Sequence, residues 1–148
     1  MVKLLVNKAE IQAKVGLTLV FSYFVLFFVN LFVVYIANQL FPQDVVLGTY
    51  SLSTWWALHH SMTKLALINT FVIPLVYYHE WKRGSVYSPK EWMLAYFAVN
   101  TVAIWGITRF AQVFGLGISH WWVALLLAAA LDWAQGIAMM ALGKLQIR

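Results

Sequence analysis

Four long apolar stretches dominate the pattern of hydrophobic and polar positions along the chain of 148 residues. They cover approximately residues 15–38, 54–78, 91–114 and 120–143, and more polar or glycine-containing segments separate them. About 20 helical residues are enough to cross a hydrocarbon core of about 30 Å. The pattern therefore predicts an all-α integral membrane protein with four transmembrane helices.

Composition supports this class and excludes others. Hydrophobic residues make up 63% of the chain and charged residues 10%, whereas a soluble domain carries roughly 25% charged residues. A chain this apolar cannot cover its surface with polar groups, so the lipid bilayer is the expected partner. The absence of cysteine excludes a disulfide framework, a thiolate nucleophile and a Cys-ligated metal site.

The positive charges predict the orientation. Lysine and arginine precede the first stretch, lie between the second and third, and follow the fourth, at positions Lys3, Lys8, Lys14, Lys82, Arg83, Lys90, Lys144 and Arg148. The other two connectors contain neither residue type. The positive-inside rule then makes both termini and the middle connector cytoplasmic, in the inner membrane of a prokaryotic cell. We interpret these cations as topology signals and lipid contacts, and not as a nucleic-acid-binding patch.

These assignments divide the single membrane domain, 1–148, into four parts. Residues 1–14 form a cytoplasmic or interfacial segment, 15–78 a first helical hairpin, 79–90 a cytoplasmic connector and 91–143 a second hairpin. Ser88, Pro89 and Glu91 have the spacing of a capping box, which predicts the start of the third helix. Residues 39–53 are apolar for a loop, and the sequence leaves open an interfacial or a re-entrant path.

The two predicted hairpins align with each other. In the alignment of STWWALHHSMTKLALIN (53–69) with SHWWVALLLAAALDWAQ (119–135), two tryptophans coincide and Asn69 meets Gln135. Upstream, FFVN ending at Asn30 matches FAVN ending at Asn100. Two spans per copy give both copies the same orientation, which predicts a parallel internal repeat. The alternative is that the tryptophan pairs mark an aromatic belt twice.

At these residues the chain resembles the YvlD-like family of small four-span membrane proteins, often labelled a four-span phage holin family. The first copy of the pattern contains Asn30, LFP at 40–42, WWAL at 55–58, Asn69 and PL at 74–75. The second contains Asn100, WWVAL at 121–125 and Gln135, and lacks both prolines. The resemblance covers roughly residues 27–143 and implies four membrane-spanning helices, no enzymatic residues and a holin-like role. The charged connector at 79–90 and the polar residues of the second span depart from the family pattern.

Two charges lie deep within predicted spans. Lys64 lies nine residues beyond Trp55, about 13 Å along a helix, and Asp132 eleven residues beyond Trp121, about 16 Å. Either charge alone in lipid costs at least about 2.5–3.5 kcal/mol. Matching depth and opposite sign predict an intramembrane pair of Lys64 with Asp132. We favour a structural role for this pair, and a proton or ion relay is the alternative.

Two further patterns accompany these charges. His59, His60, Thr63, Lys64 and Thr70 cluster on one side of the second helix, which predicts a polar face turned into the bundle. Adjacent histidines diverge by about 100°, so no metal site is expected. Ala124, Ala128 and Gly136 flank Asp132 at four-residue spacing, a stripe that favours close helix packing. The stripe can pack within one chain or between protomers of a homo-oligomer, and the internal contact is preferred.

The sequence contains no phosphate-binding loop, catalytic triad or paired carboxylates, so we expect neither an enzyme nor a cofactor. The first functional hypothesis is a holin-like protein that affects membrane permeability. The alternative is a non-pore structural or stress-related membrane subunit. A weaker alternative is an ion or proton channel or transporter that uses Lys64 and Asp132.

Overall fold

Long helices account for most of the molecule in a computed structural model, which describes residues 2–146 and the side chains of residues 12–144. Helices make up 81% of the chain. In chain order the elements are α1 (Val2–Leu40), β1 (Val45–Leu47), α2 (Thr54–Arg83), α3 (Pro89–Arg109), α4 (Ala111–Phe114), β2 (Leu116–Ile118) and α5 (Trp121–Gln146). The prediction of a helical protein is confirmed for the long elements, and the two short strands were not predicted.

Two helices are long and apolar enough to cross a membrane. They cover Gln12–Leu40 and Trp121–Lys144, with mean hydropathies of 2.4 and 1.7. α1 runs without a break from the predicted segment 1–14 into the first apolar stretch, and the side chains of residues 1–11 lie outside the described ones. α2 continues through Pro74 to Arg83, so it extends beyond the predicted end of the second stretch.

The four long helices pack side by side, each against two neighbours. α1 and α3 both contact α2 and α5, which places α2 and α5 diagonally across the helix assembly. The interior between them is filled by fully buried side chains, among them Leu26, Leu58, Met62, Leu65, Ile104 and Leu131. This diagonal arrangement decides which side chains of α2 and α5 can meet.

The predicted capping box starts α3. The backbone N–H of Glu91 donates to Ser88 Oγ at 3.3 Å, and the backbone N–H of Ser88 donates to Glu91 Oε2 at 2.7 Å. Pro89 occupies the first helical turn, where its missing N–H costs nothing. The prediction that the third helix begins here is therefore confirmed.

The two helix-connecting loops form an antiparallel strand pair. Val45 pairs with Ile118, Val46 with Gly117 and Leu47 with Leu116. A further hydrogen bond lies beyond each end of the pair: Gly48 N–H donates to Gly115 O at 2.8 Å, and Ser119 N–H donates to Asp44 O at 3.0 Å. We call residues 44–48 and 115–119 the strand clasp. The loop at residues 39–53 therefore folds against the loop between α3 and α5.

Candidate functional site

Four buried amide side chains, one from each long helix, form a hydrogen-bonded series. Asn69 Nδ2 donates to Asn100 Oδ1 at 2.7 Å, and Asn100 Nδ2 donates to Gln135 Oε1 at 2.8 Å. Gln135 Nε2 then donates to Asn30 Oδ1 at 2.6 Å. All four residues are at most 1% exposed. We call these four residues the amide chain.

The two ends of the amide chain are chemically complementary. Asn30 Nδ2 is a fully enclosed donor without a partner among the described residues, and Asn69 Oδ1 is an enclosed acceptor in the same situation. These residues belong to α1 and α2, which pack against each other. A buried amide normally satisfies both its donor and its acceptor capacity. A hydrogen bond from Asn30 Nδ2 to Asn69 Oδ1 would therefore close the amide chain into a ring between α1 and α2.

Neutral amides hold helices together but do not carry charge. A hydrogen bond within a protein contributes about 0.5–1.5 kcal/mol net to stability. Three such bonds link four helices in the amide chain, and the space between it and the strand clasp is filled by buried apolar side chains such as Leu58, Leu65 and Leu131. This arrangement suits a structural tie across the assembly.

Lys64 lies on the flank of α2 and forms no ion pair with any carboxylate of the described side chains. The residue is half-buried, and its Nζ lies 5.6 Å from the centre of the Phe114 ring of α4. The one ion pair among the described side chains joins Arg83 to Glu91. The predicted Lys64–Asp132 pair is therefore wrong as a contact within one chain.

Asp132 is 9% exposed and makes no hydrogen bond with the described side chains. The physical reason for the missing pair is the arrangement of the helices. Similar depth places two residues at one level, but α2 and α5 lie diagonally and α3 and α1 separate them. Lys64 leaves α2 towards α4, whereas Asp132 lies on α5, so the two side chains do not face each other.

The predicted polar face of α2 does not form the interior either. The buried face of α2 consists of residues such as Ser61, Leu65 and Asn69. Thr63 is exposed, and its hydroxyl donates to His59 O at 2.7 Å within the same helix. The inward face of α2 is thus mostly apolar, and the five predicted polar residues lie outside it.

The remaining residues of that predicted face have separate surroundings. The His59 ring lies 4.1 Å from that of Trp55, and the half-buried His60 ring lies 5.6 Å from Phe114. Thr70 donates to Ala66 O of its own helix at 2.8 Å. No group of three metal-ligating side chains comes together among the described residues. The arrangement thus gives these groups local contacts and no shared site.

The small-residue stripe of α5 is divided. Ala124 and Ala128 are 1% and 0% exposed and belong to the apolar core. Gly136 is half-buried, and a methyl group added to it would meet no atom within 4 Å. The stripe therefore packs internally at its first two positions, while Gly136 does not mark a close helix approach.

At the α2–α3 connector, Arg83 and Glu91 form a separate electrostatic contact. Arg83 Nη1 donates to Glu91 Oε1 at 2.6 Å, on the exposed surface. The hydrogen bond from Arg83, followed by that from the Ser88 backbone, lowers the pKa of Glu91 from 4.5 to about 2. The same contact raises the pKa of Arg83. This pair fastens the end of α2 to the start of α3.

The amide chain is the feature that the sequence did not identify as a site. All four residues appeared in the alignment of the two hairpins, where Asn30 matched Asn100 and Asn69 matched Gln135. That coincidence of polar positions in apolar helices was the available signal. Comparisons with protein-family models, with curated proteins and with solved structures find no match to this chain.

Proposed function

We propose that the chain is an integral membrane protein that crosses the bilayer four times, with both termini in the cytoplasm of a prokaryotic cell. The outward surface of α1 supports this proposal. Phe21, Phe24, Phe28 and Phe32 recur along it and are between 51% and 63% exposed. Soluble monomers rarely expose contiguous apolar patches of more than a few hundred Å². Lipid is the solvent that such a surface suits.

The less apolar helices α2 and α3 complete the four spans of this proposal. α2 has 30 residues and α3 has 21, which correspond to about 45 Å and about 31 Å of helix. Each length is sufficient for a hydrocarbon core of about 30 Å. Their most polar buried groups, Asn69 and Asn100, bond to each other inside the assembly. In this proposal the third span is the part of α3 that follows Glu91, residues 92–109, about 27 Å of helix and within the range of about 17–25 residues for a span.

A parallel internal repeat is part of the same proposal. The strand pair is symmetric when each residue of β1 is replaced by its counterpart in β2 and the reverse. Val45 then becomes Leu116 and Ile118 becomes Leu47, so one observed pair is converted into the other. The same exchange interconverts the two flanking hydrogen bonds of the strand clasp. In the amide chain, the aligned positions turn the Asn69–Asn100 bond into the Gln135–Asn30 bond. These correspondences favour two copies of one hairpin, related by an axis along the membrane normal.

Reporter fusions test the topology. A fusion at residue 148 and one in the 79–90 connector should report the cytoplasm, and an insertion within 43–50 should report the opposite side. A cytoplasmic signal from 43–50 would contradict the four-span arrangement.

The function we propose is holin-like: copies of the bundle associate and alter membrane permeability where they meet. The observation that carries this proposal is that Lys64 and Asp132 lie in helices without a charged partner among the described residues. Each isolated charge in lipid costs at least about 2.5–3.5 kcal/mol. Association between bundles removes that cost, since each copy offers one cation and one anion. Permeation then occurs between bundles, because the interior of one bundle is filled.

A second candidate is a non-pore structural subunit, and the amide chain favours it. Three short hydrogen bonds among four helices hold the bundle as one unit. The weaker hypothesis, a channel through one bundle, loses its main support because Lys64 and Asp132 are not paired within the chain.

Purified protein in vesicles loaded with small and large dyes separates these functions. Holin-like activity predicts release of both dyes, rising steeply as the protein-to-lipid ratio increases. The same protein diluted in lipid is the control, because isolated copies should not release dye. Selective ion flux without dye release would support the channel. Neither ion flux nor dye release at any protein-to-lipid ratio would support the structural subunit.

A further inference from the structure

We propose that Lys64 of one copy pairs with Asp132 of the next copy within the membrane. This inference deepens the proposed function and rests on it, because it names the contact through which copies associate. The partner is a second copy of this chain, selected by charge complementarity. Among the described residues the two form no ion pair within one chain, and each keeps some exposed surface.

Lys64 is partly exposed, and Asp132 is largely buried but keeps a small exposed part. Lys64 is half-buried and contacts the Phe114 ring at 5.6 Å, with no carboxylate nearby among the described side chains. Asp132 retains 9% of its surface. Neither of its oxygens is among the fully enclosed atoms that lack a partner, so the exposed part includes the carboxylate. A long lysine side chain from a neighbouring copy is the kind of group that can reach it.

Depth matches because copies inserted in the same orientation share one membrane frame. Lys64 lies about 13 Å and Asp132 about 16 Å below the tryptophans that begin α2 and α5. The difference of about 3 Å is within the reach of the flexible four-carbon lysine side chain. Two parallel copies therefore bring these charges to the same level without tilting.

The two charges lie on different flanks, which determines the kind of contact. Lys64 points towards α4, beside α3. Asp132 lies two helical turns beyond Leu125, a residue that lines the groove between α3 and α5. A contact from one flank to the other is heterologous, so each copy contributes Lys64 on one side and Asp132 on the other. Such contacts continue from copy to copy and close into rings where the rotation allows it.

Subunit mixing in vesicles tests this contact. Wild-type copies labelled with donor and acceptor fluorophores should show energy transfer that exceeds that of a lipid-diluted control. Lys64→Met alone and Asp132→Leu alone should each weaken self-association on the order of tenfold or more, since every contact needs both charges. An equimolar mixture should regain energy transfer between the two variants, because Lys64 of one meets Asp132 of the other.

Two further variants keep the test decisive. The exchange of both charges in one chain, Lys64→Asp with Asp132→Lys, should restore self-association, whereas Lys144→Met should leave it unchanged. Full energy transfer in either single variant, or no recovery in the mixture and in the exchanged chain, would overturn the inference. The proposed function fails separately: a pair that forms without dye release leaves the inference standing, and dye release that persists in both single variants leaves the function standing.

Discussion

Replacing Asn100 with leucine should destabilise the assembly, because Asn100 is a central member of the amide chain. The change removes two hydrogen bonds and leaves Asn69 Nδ2 and Gln135 Oε1 buried without partners. At about 0.6 kcal/mol for each interhelical bond the loss is about 1 kcal/mol. Two polar groups left without partners add about 1–2 kcal/mol each, which brings the total to about 3–5 kcal/mol. We therefore expect the free energy of unfolding to fall by about 3 kcal/mol, measured by denaturant unfolding in detergent micelles.

A neighbouring variant provides the matched control. Thr101→Val removes a hydroxyl that donates only to Phe97 O of its own helix, at 2.8 Å. We expect this change to stay within about 0.5 kcal/mol. Asn100→Leu combined with Gln135→Leu should cost clearly less than the sum of the two single changes, since both break the same bond. The reasoning would be refuted if Asn100→Leu and Thr101→Val lowered the free energy of unfolding equally. It would also be refuted if the losses for Asn100→Leu and Gln135→Leu were strictly additive in the double variant.

Two other predictions concern the ends of the helices. Gly115→Ala should destabilise the strand clasp by several kcal/mol, because Gly115 has a φ of +83° and a new methyl group would press on Ala57, whose Cα would be 2.9 Å away. Gly136→Ala, at a position with open space for a methyl group, should leave the melting temperature nearly unchanged. Thermal unfolding of both variants and the wild type measures the difference. The stabilisation by the contacts of Glu91 should be fully present above pH 4.5 and be lost as the pH falls from there to its pKa of about 2. The difference in melting temperature between wild type and Glu91→Gln should accordingly shrink over that range, and a constant difference would contradict this assignment.

Helix positions were predictable because they depend on local signals. Long apolar stretches and the capping residues Ser88 and Glu91 act within a few residues, and the structure begins α3 at that point. The strand clasp was not predictable in this way. Its strands have three residues each, and they pair with a segment far along the chain, as the contact of Asp44 with Ser119 shows. Three residues carry too little periodicity to distinguish a strand from a loop.

The charge pair shows a different limit. Counting residues along two helices gives the depth of Lys64 and of Asp132, but not the direction in which each side chain leaves its helix relative to the other. That direction depends on which helices are neighbours, and here α2 and α5 are diagonal. The amide chain was overlooked because a neutral amide is less conspicuous than a charge in an apolar helix, although the alignment already brought Asn69 and Gln135 together.

The strand clasp connects the two helical hairpins at one end of the molecule. It joins the two hairpins where their loops meet, and the Arg83–Glu91 contact joins α2 to α3 at the opposite end. At that opposite end, the described side chains of α1 and α5 form no ion pair or hydrogen bond with each other. The hydrogen bond between these two helices that lies nearest to it joins Gln135 to Asn30. The two hairpins are therefore joined at both ends of the α2–α3 side, so we expect them to separate first along the seam between α1 and α5. Backbone amides of the clasp should therefore exchange their hydrogens with solvent more slowly than those at the ends of α1 and α5 remote from it.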